Sequence, residues 1–187
     1  MAETIALLVI CGLALGAVVL YNRLVRRRNR VDTAWSDIDV QLQRRHDLVP
    51  RLVEAVRQYA AWERATLEAV TEMRRKAMQA AAVETRGKLE EALFERTLGL
   101  LALAERYPDL KANENFLELQ QELVGTENYL QFARRYYNGS VREYNTLVES
   151  VPSNIVARLF GFAPRDFFQK TSDDAANVPL VKLGSVE

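Results

Sequence analysis

The chain has 187 residues, enough for one domain with a real core and too few for two. Its 25 basic and 25 acidic residues cancel, so no overall field draws in nucleic acid, and there is no long acidic or basic tail. Glycine and proline are scarce among abundant Ala, Leu and charged residues, a composition of long amphipathic helices and not of sheets; the single cysteine, Cys11, excludes an internal disulfide and a cysteine-based metal site.

From Ile5 to Tyr21 the sequence reads IALLVICGLALGAVVLY, about 17 residues without a charge, roughly 26 Å as a helix. That reaches membrane-spanning length. A cleavable signal peptide needs a basic start and a small-x-small site after the apolar run, but only Glu3 precedes it and YNRLVRRRN follows. A lipid-modified Cys11 is disfavoured because Ile10 stands where a small residue is required and the apolar run continues past the cysteine. An uncleaved transmembrane anchor over residues 1–22 is the reading that remains, with a buried core helix as its alternative.

Arg23, Arg26, Arg27, Arg28 and Arg30 crowd one end of this segment, which predicts a single pass of the cytoplasmic membrane, the N-terminus outside and the body in the cytoplasm. The same five arginines are candidates for contact with lipid headgroups. Gly12 and Gly16 have the G-x-x-x-G spacing that lets two membrane helices approach closely, a candidate pairing face.

The body, residues 23–151, reads as helices with one apolar stripe each. Val31, Trp35, Ile38 and Leu42 line one face; Val49, Leu52, Val53, Val56, Tyr59, Ala60, Leu67, Val70 and Ala77 form a second seam. Leu89, Leu93, Leu100, Leu103 and Ala104 predict a third helix from about Glu84 to Tyr107, ended by Pro108. The fourth keeps a 3, 4 alternation from Phe116 through Leu130, Tyr137 and Tyr144 to Leu147, with a capping box at Asn115 and Glu118 and a stop at Pro152. Such stripes are stable only against one another. The expected fold is all-α: a transmembrane helix followed by an antiparallel, up-and-down four-helix bundle with coiled-coil-like packing.

The only histidine, His46, lies in RRHDLVPRLVEAV. Pro50 fits the first turn of a new helix, Asp47 its N-cap, and His46 the last turn of the helix before it, so the stretch reads as a corner and not as a catalytic site. A continuous helix kinked at Pro50 is the other possibility. Phosphate-binding glycine loops, H-E-x-x-H and nucleophile elbows are absent, and one histidine cannot furnish the paired Glu-x-x-His of a bundle metal site. Asp32, Asp37, Asp39, Glu54, Glu63, Glu68 and Glu72 mostly lie off the seams and read as a solvated face. No catalytic, cofactor-binding or metal residues are assigned.

Two polar features stand apart. Tyr129, Tyr136, Tyr137 and Tyr144 of the fourth helix either fill the core or form a partner-binding face, and Asn138 and Asn145 each follow a tyrosine. The segment NIVARLFGFAPRDFF, Asn154 to Phe168, carries Phe160, Phe162, Phe167 and Phe168 and one amphipathic turn closed at Gly161. In an up-and-down bundle it returns to the membrane, so its phenylalanines either meet headgroups or plug the end of the bundle. Residues 152–187 form this short amphipathic segment and a polar tail.

The stretches YNRLVRRRNRVDTAWSDIDVQLQRRHDLVPRLVEAVRQYA, YPDLKANENFLELQQEL, TENYLQFARRYYNGSVREYN and GFAPRDFF strongly resemble the LemA family of bacterial membrane proteins over nearly the whole chain. Arg51 and Trp62 are minor departures. The resemblance implies an N-terminal membrane helix and an antiparallel helical bundle, and brings no catalytic activity, cofactor or catalytic residue set. The expected function is a non-enzymatic scaffold or adaptor that contacts membrane lipid and other envelope or membrane proteins. The alternatives are a self-assembling homo-oligomer that organises or shapes membrane and a regulator of a membrane protease.

Overall fold

A computed structural model of the protein describes residues 1–60 and 62–168. The expected polar tail beyond Phe168 lies outside the described residues. Among the described residues six helices follow one another: α1 (Ala2–Tyr59), α2 (Arg64–Gln79), α3 (Val83–Ala104), α4 (Pro108–Lys111), α5 (Glu114–Glu149) and α6 (Ser153–Leu159). The all-α expectation holds. A simple up-and-down bundle of four does not describe it, because α1 takes both the first seam and half of the second, and two short helices are added.

The correction centres on Pro50. Helix α1 is 58 residues long and passes through Asp47–Pro50 without a break, so Asp47 is not an N-cap; its carboxylate accepts from Gln43 Nε2 at 3.1 Å. A proline in a helix interior has no N–H for the carbonyl four residues back. Here that carbonyl is His46 O, and Arg74 of α2 donates Nε to it at 2.6 Å. The missing backbone bond is thus replaced by a guanidinium from the neighbouring helix, and the real corner falls after Tyr59, where Ala60 N closes on Val56 O at 2.8 Å.

Helices α1 and α5 are antiparallel partners along most of the molecule. Arg27 meets Glu143, the Trp35 ring lies 5.5 Å from that of Tyr137, Arg45 meets Glu127, and Asn113 donates to Tyr59 Oη at 3.1 Å. The α5 N-cap is Asn113 and not Asn115: its side chain accepts from Phe116 N at 3.1 Å, and no capping box forms because Phe116 and not an acid stands at the third helical position. Helices α2 and α3 make a hairpin packed against the C-terminal part of α1. Trp62 stands exposed at the α1–α2 corner.

Helix α6 ends in a Schellman motif. Phe162 N bonds Ala157 O at 2.8 Å and Gly161, at φ +69°, turns the chain, as the sequence predicts for this glycine. The strap that follows runs back over α1 and α5. Tyr137 Oη donates to Asp166 O at 2.9 Å, Asn145 pairs with both backbone groups of Arg165, and Asn138 Oδ1 accepts from Phe168 N at 3.0 Å. The two asparagines that follow tyrosines are therefore the clamps of the strap. Its end seats against α3, where a Cβ built on Gly87 would lie 2.1 Å from Phe168 O.

Gly87→Ala therefore forces the strap off α3 and is expected to cost about 1–3 kcal/mol. Gly99→Ala, on the same helix with nothing near its Cβ, should instead stabilise by roughly 0.5–1 kcal/mol. Urea unfolding of the full-length chain in mild detergent, followed by helical circular dichroism, reads both; equal effects would contradict the seat assigned to Phe168.

Candidate functional site

Three places carry the polar and exposed chemistry. The first is buried. Between an apolar core distal to the N-terminal apolar stretch (Leu48 to Leu123) and one proximal to it (Leu24 to Phe168) lies a layer of Arg45, His46, Glu90 and Glu127, all buried. Arg45 Nη1 donates to Glu90 O at 3.1 Å and to Glu90 Oε2 at 3.2 Å, and Nη2 pairs with the Glu127 carboxylate. His46 Nε2 shares a hydrogen bond with Glu90 Oε1 at 2.7 Å, and the Phe94 ring lies 5.4 Å from the Arg45 guanidinium. Glu90 thus joins α3 to two consecutive residues of α1, while Glu127 brings in α5. A general acid or base must reach substrate, and these groups are sealed and spent on one another. The layer sets register.

The second place is the outer face of α5. The structure splits the four tyrosines. Tyr137 and Tyr144 are buried in the proximal core, which pushes their phenols above the ordinary range. Tyr129 and Tyr136 are more than half exposed, and so is Phe132 between them, its ring 4.8 Å from the Arg135 guanidinium. With Ala133 as a small floor and Asp37, Val40 and Gln41 of α1 as the far wall, they line a groove of about 380 Å³. Phe132 and Val40 escaped the sequence reading. Their signal was present: 129, 132 and 136 repeat a 3, 4 spacing one residue off the core seam at 130, 137 and 144.

The third place is the end of the apolar stretch. Residues of α1 before Ala17 are exposed throughout, and this helix is long and apolar enough to cross a membrane. Gly12 and Gly16 have no atoms near their Cβ positions, leaving that face open. The arginine collar begins about two turns after Gly16. Arg26 bonds Asn22 O at 3.3 Å, Arg27 and Arg30 share Glu143, Arg28 lies 5.2 Å over the Phe162 ring, and Arg23 is exposed. Beside this collar sits the α5–α6 corner, with Tyr21 edge-on to Phe160 at 4.8 Å and to Phe162 at 5.6 Å.

The four phenylalanines have different fates. Phe162 and Phe168 belong to the proximal core, Phe168 completely, and Phe167 packs partly against it. Their rings have little or no surface to offer lipid, because the strap folds them under α1, α3 and α5. Phe160 alone of the four is open, and it joins Val151, Ile155 and Leu159, all more than half exposed at helical spacing. Those three escaped the sequence reading because their aliphatic spacing was hidden beside the conspicuous aromatic run.

Among the described residues no group of three or more His, Cys, Asp or Glu side chains is arranged to hold a metal ion. The LemA family model matches residues 34–183. Protein LemA of Metamycoplasma hominis is 24% identical, over 87% of this chain and 74% of its own length. Magnetosome protein MamQ 2 of Paramagnetospirillum magneticum is 24% identical, over 94% of this chain and 75% of its own length. Magnetosome protein MamQ of Magnetospirillum gryphiswaldense is 22% identical, over 86% and 68% respectively.

The ionic layer makes a direct prediction. Arg45→Met strands two buried carboxylates and is expected to cost about 3–5 kcal/mol, whereas Arg45→Met combined with Glu90→Gln and Glu127→Gln should recover part of the loss. Urea unfolding in mild detergent checks this; strictly additive losses would contradict a coupled layer.

Proposed function

The chain belongs to the LemA family, and from that membership we propose that it is a single-pass scaffold or adaptor of the bacterial cytoplasmic membrane. In this reading it is a non-enzymatic, membrane-associated all-α protein. In this reading residues 1–22 are the anchor, residues 23–151 the bundle on the cytoplasmic side, and residues 152–187 a membrane-proximal segment with a tail. The arginine collar after Tyr21 supports that orientation.

The observation that carries the scaffold reading is the groove of Tyr129, Phe132 and Tyr136 against Val40. Exposed aromatic rings around a small floor are the residue types that anchor protein interfaces. Val40 is about 29 Å along α1 from Tyr21, so a partner docked there clears the headgroups. The buried layer beneath keeps the two walls in one register, so the groove is preformed.

A second reading is self-assembly. The open face at Gly12 and Gly16 supports it, since two copies of α1 can approach closely there.

A photo-crosslinking residue at position 132, tested in intact membranes, distinguishes these readings from a bare surface. The expected result is a discrete adduct with another membrane protein that falls severalfold in a Tyr129→Ser/Tyr136→Ser background and is absent from position 88, on exposed Lys88 of α3. An adduct of the chain with itself would favour self-assembly, and equal labelling at 132 and 88 would remove the groove as a partner face.

A further inference from the structure

We propose that the cleft between the start of the arginine collar and the α5–α6 corner binds the phosphate of an anionic phospholipid headgroup. The proposal rests on the membrane reading above and names a ligand for one place on the chain. The cleft holds about 560 Å³. Arg23 of α1 faces Arg142 of α5 across it, Thr146 and Ser150 continue the α5 wall, and Leu20 and Val151 supply apolar surface.

Charge selects the ligand. Arg27 also lines the cleft, but Glu143 neutralises it and takes Arg30 at 3.5 Å as well. Arg23 and Arg142 make no ion pair among the described residues, and the hydroxyls of Thr146 and Ser150 have no protein partner there. Three guanidiniums against one carboxylate leave the cleft positive, with two planar forks unspent, the donor geometry that grips phosphate. A zwitterionic headgroup brings its own cation into that field and gains less.

Depth selects a lipid over a free anion. Arg23 lies two residues beyond Tyr21, about 3 Å along the helix axis, at the level where hydrocarbon gives way to headgroups. The contact of Tyr21 with Phe160 holds the α5–α6 corner at the same level. Val151 then continues from the cleft into the exposed face of Ile155, Leu159 and Phe160. A phosphate seated between the arginines leaves its acyl chains lying along that face. A soluble phosphate gains nothing from such a surface.

Native mass spectrometry of the full-length protein in detergent tests this with phosphatidylglycerol, phosphatidylcholine of matched chains, and inorganic phosphate as probes. Phosphatidylglycerol should be retained preferentially, and Arg23→Gln/Arg142→Gln should lower its retention about tenfold or more. The charge-matched control Arg51→Gln/Arg96→Gln removes two exposed arginines far from the cleft and the collar and should stay within about twofold of the unmodified protein. Circular dichroism of both variants confirms that these exposed substitutions leave the helices intact. Equal loss in the control would reduce the effect to diffuse surface charge and overturn the site. Equal retention of phosphatidylcholine overturns the selectivity, and retention of inorganic phosphate as strong as that of lipid overturns the lipid assignment. Failure of the membrane reading itself looks different, with the chain dissolving without detergent, whereas failure of the cleft leaves it in the membrane.

Discussion

The continuity of α1 governs everything else in the molecule. One helix is exposed and apolar at its start, carries a collar of arginine in its second quarter, and is the central core element of the bundle thereafter. Because no hinge separates these parts, the orientation of the bundle is tied to that of the apolar stretch. Helix α5 inherits that order by running antiparallel to α1, so its C-terminal end and α6 return to the collar. The groove at Tyr129 to Tyr136 and the cleft at Arg23 and Arg142 follow from the same register.

That continuity is not free, because Pro50 sits where a helix would ordinarily break. The structure answers with a local substitution of donors, Arg74 Nε for the absent proline N–H. One turn earlier, Arg45 and His46 fix α1 to α3 and α5 through Glu90 and Glu127. A buried ion pair is seldom a source of net stability, since desolvation consumes much of the Coulomb gain. Its effect here is discrimination: sliding α5 by one turn strands charges in the core, whereas a purely apolar seam would tolerate the slip. The histidine that attracts notice as a catalytic candidate is thus part of a locking layer.

Much of this was legible in the sequence and some was not, for identifiable reasons. The seam from Phe116 to Leu147 is written in heptad spacing, and the structure buries or partly buries each of its positions. Gly161 was legible because only a residue tolerant of positive φ can close that turn. Pro50 misled because local backbone rules predict a helix boundary, and the compensating guanidinium lies 24 residues further along the chain, on another helix. The same non-locality hid Glu90 and Glu127, ordinary charged residues on helix patterns until folding brings them to Arg45. The partner face was half legible: tyrosine spacing revealed the helix, but only the register of α5 on α1 decides that Tyr137 and Tyr144 point inward and Tyr129 and Tyr136 outward.

The most direct test of a bilayer-anchored, unbroken α1 uses the one native cysteine, Cys11, which is exposed in the middle of the apolar stretch. A nitroxide attached there in the full-length protein, reconstituted into vesicles, reports collisions with oxygen, which concentrates in lipid, and with a water-soluble nickel chelate. Frequent oxygen collisions with little response to nickel at position 11, giving way to the reverse by position 29 as the label is moved along the helix, is the result predicted. A label at position 11 as open to the nickel chelate as one at position 29 would contradict it.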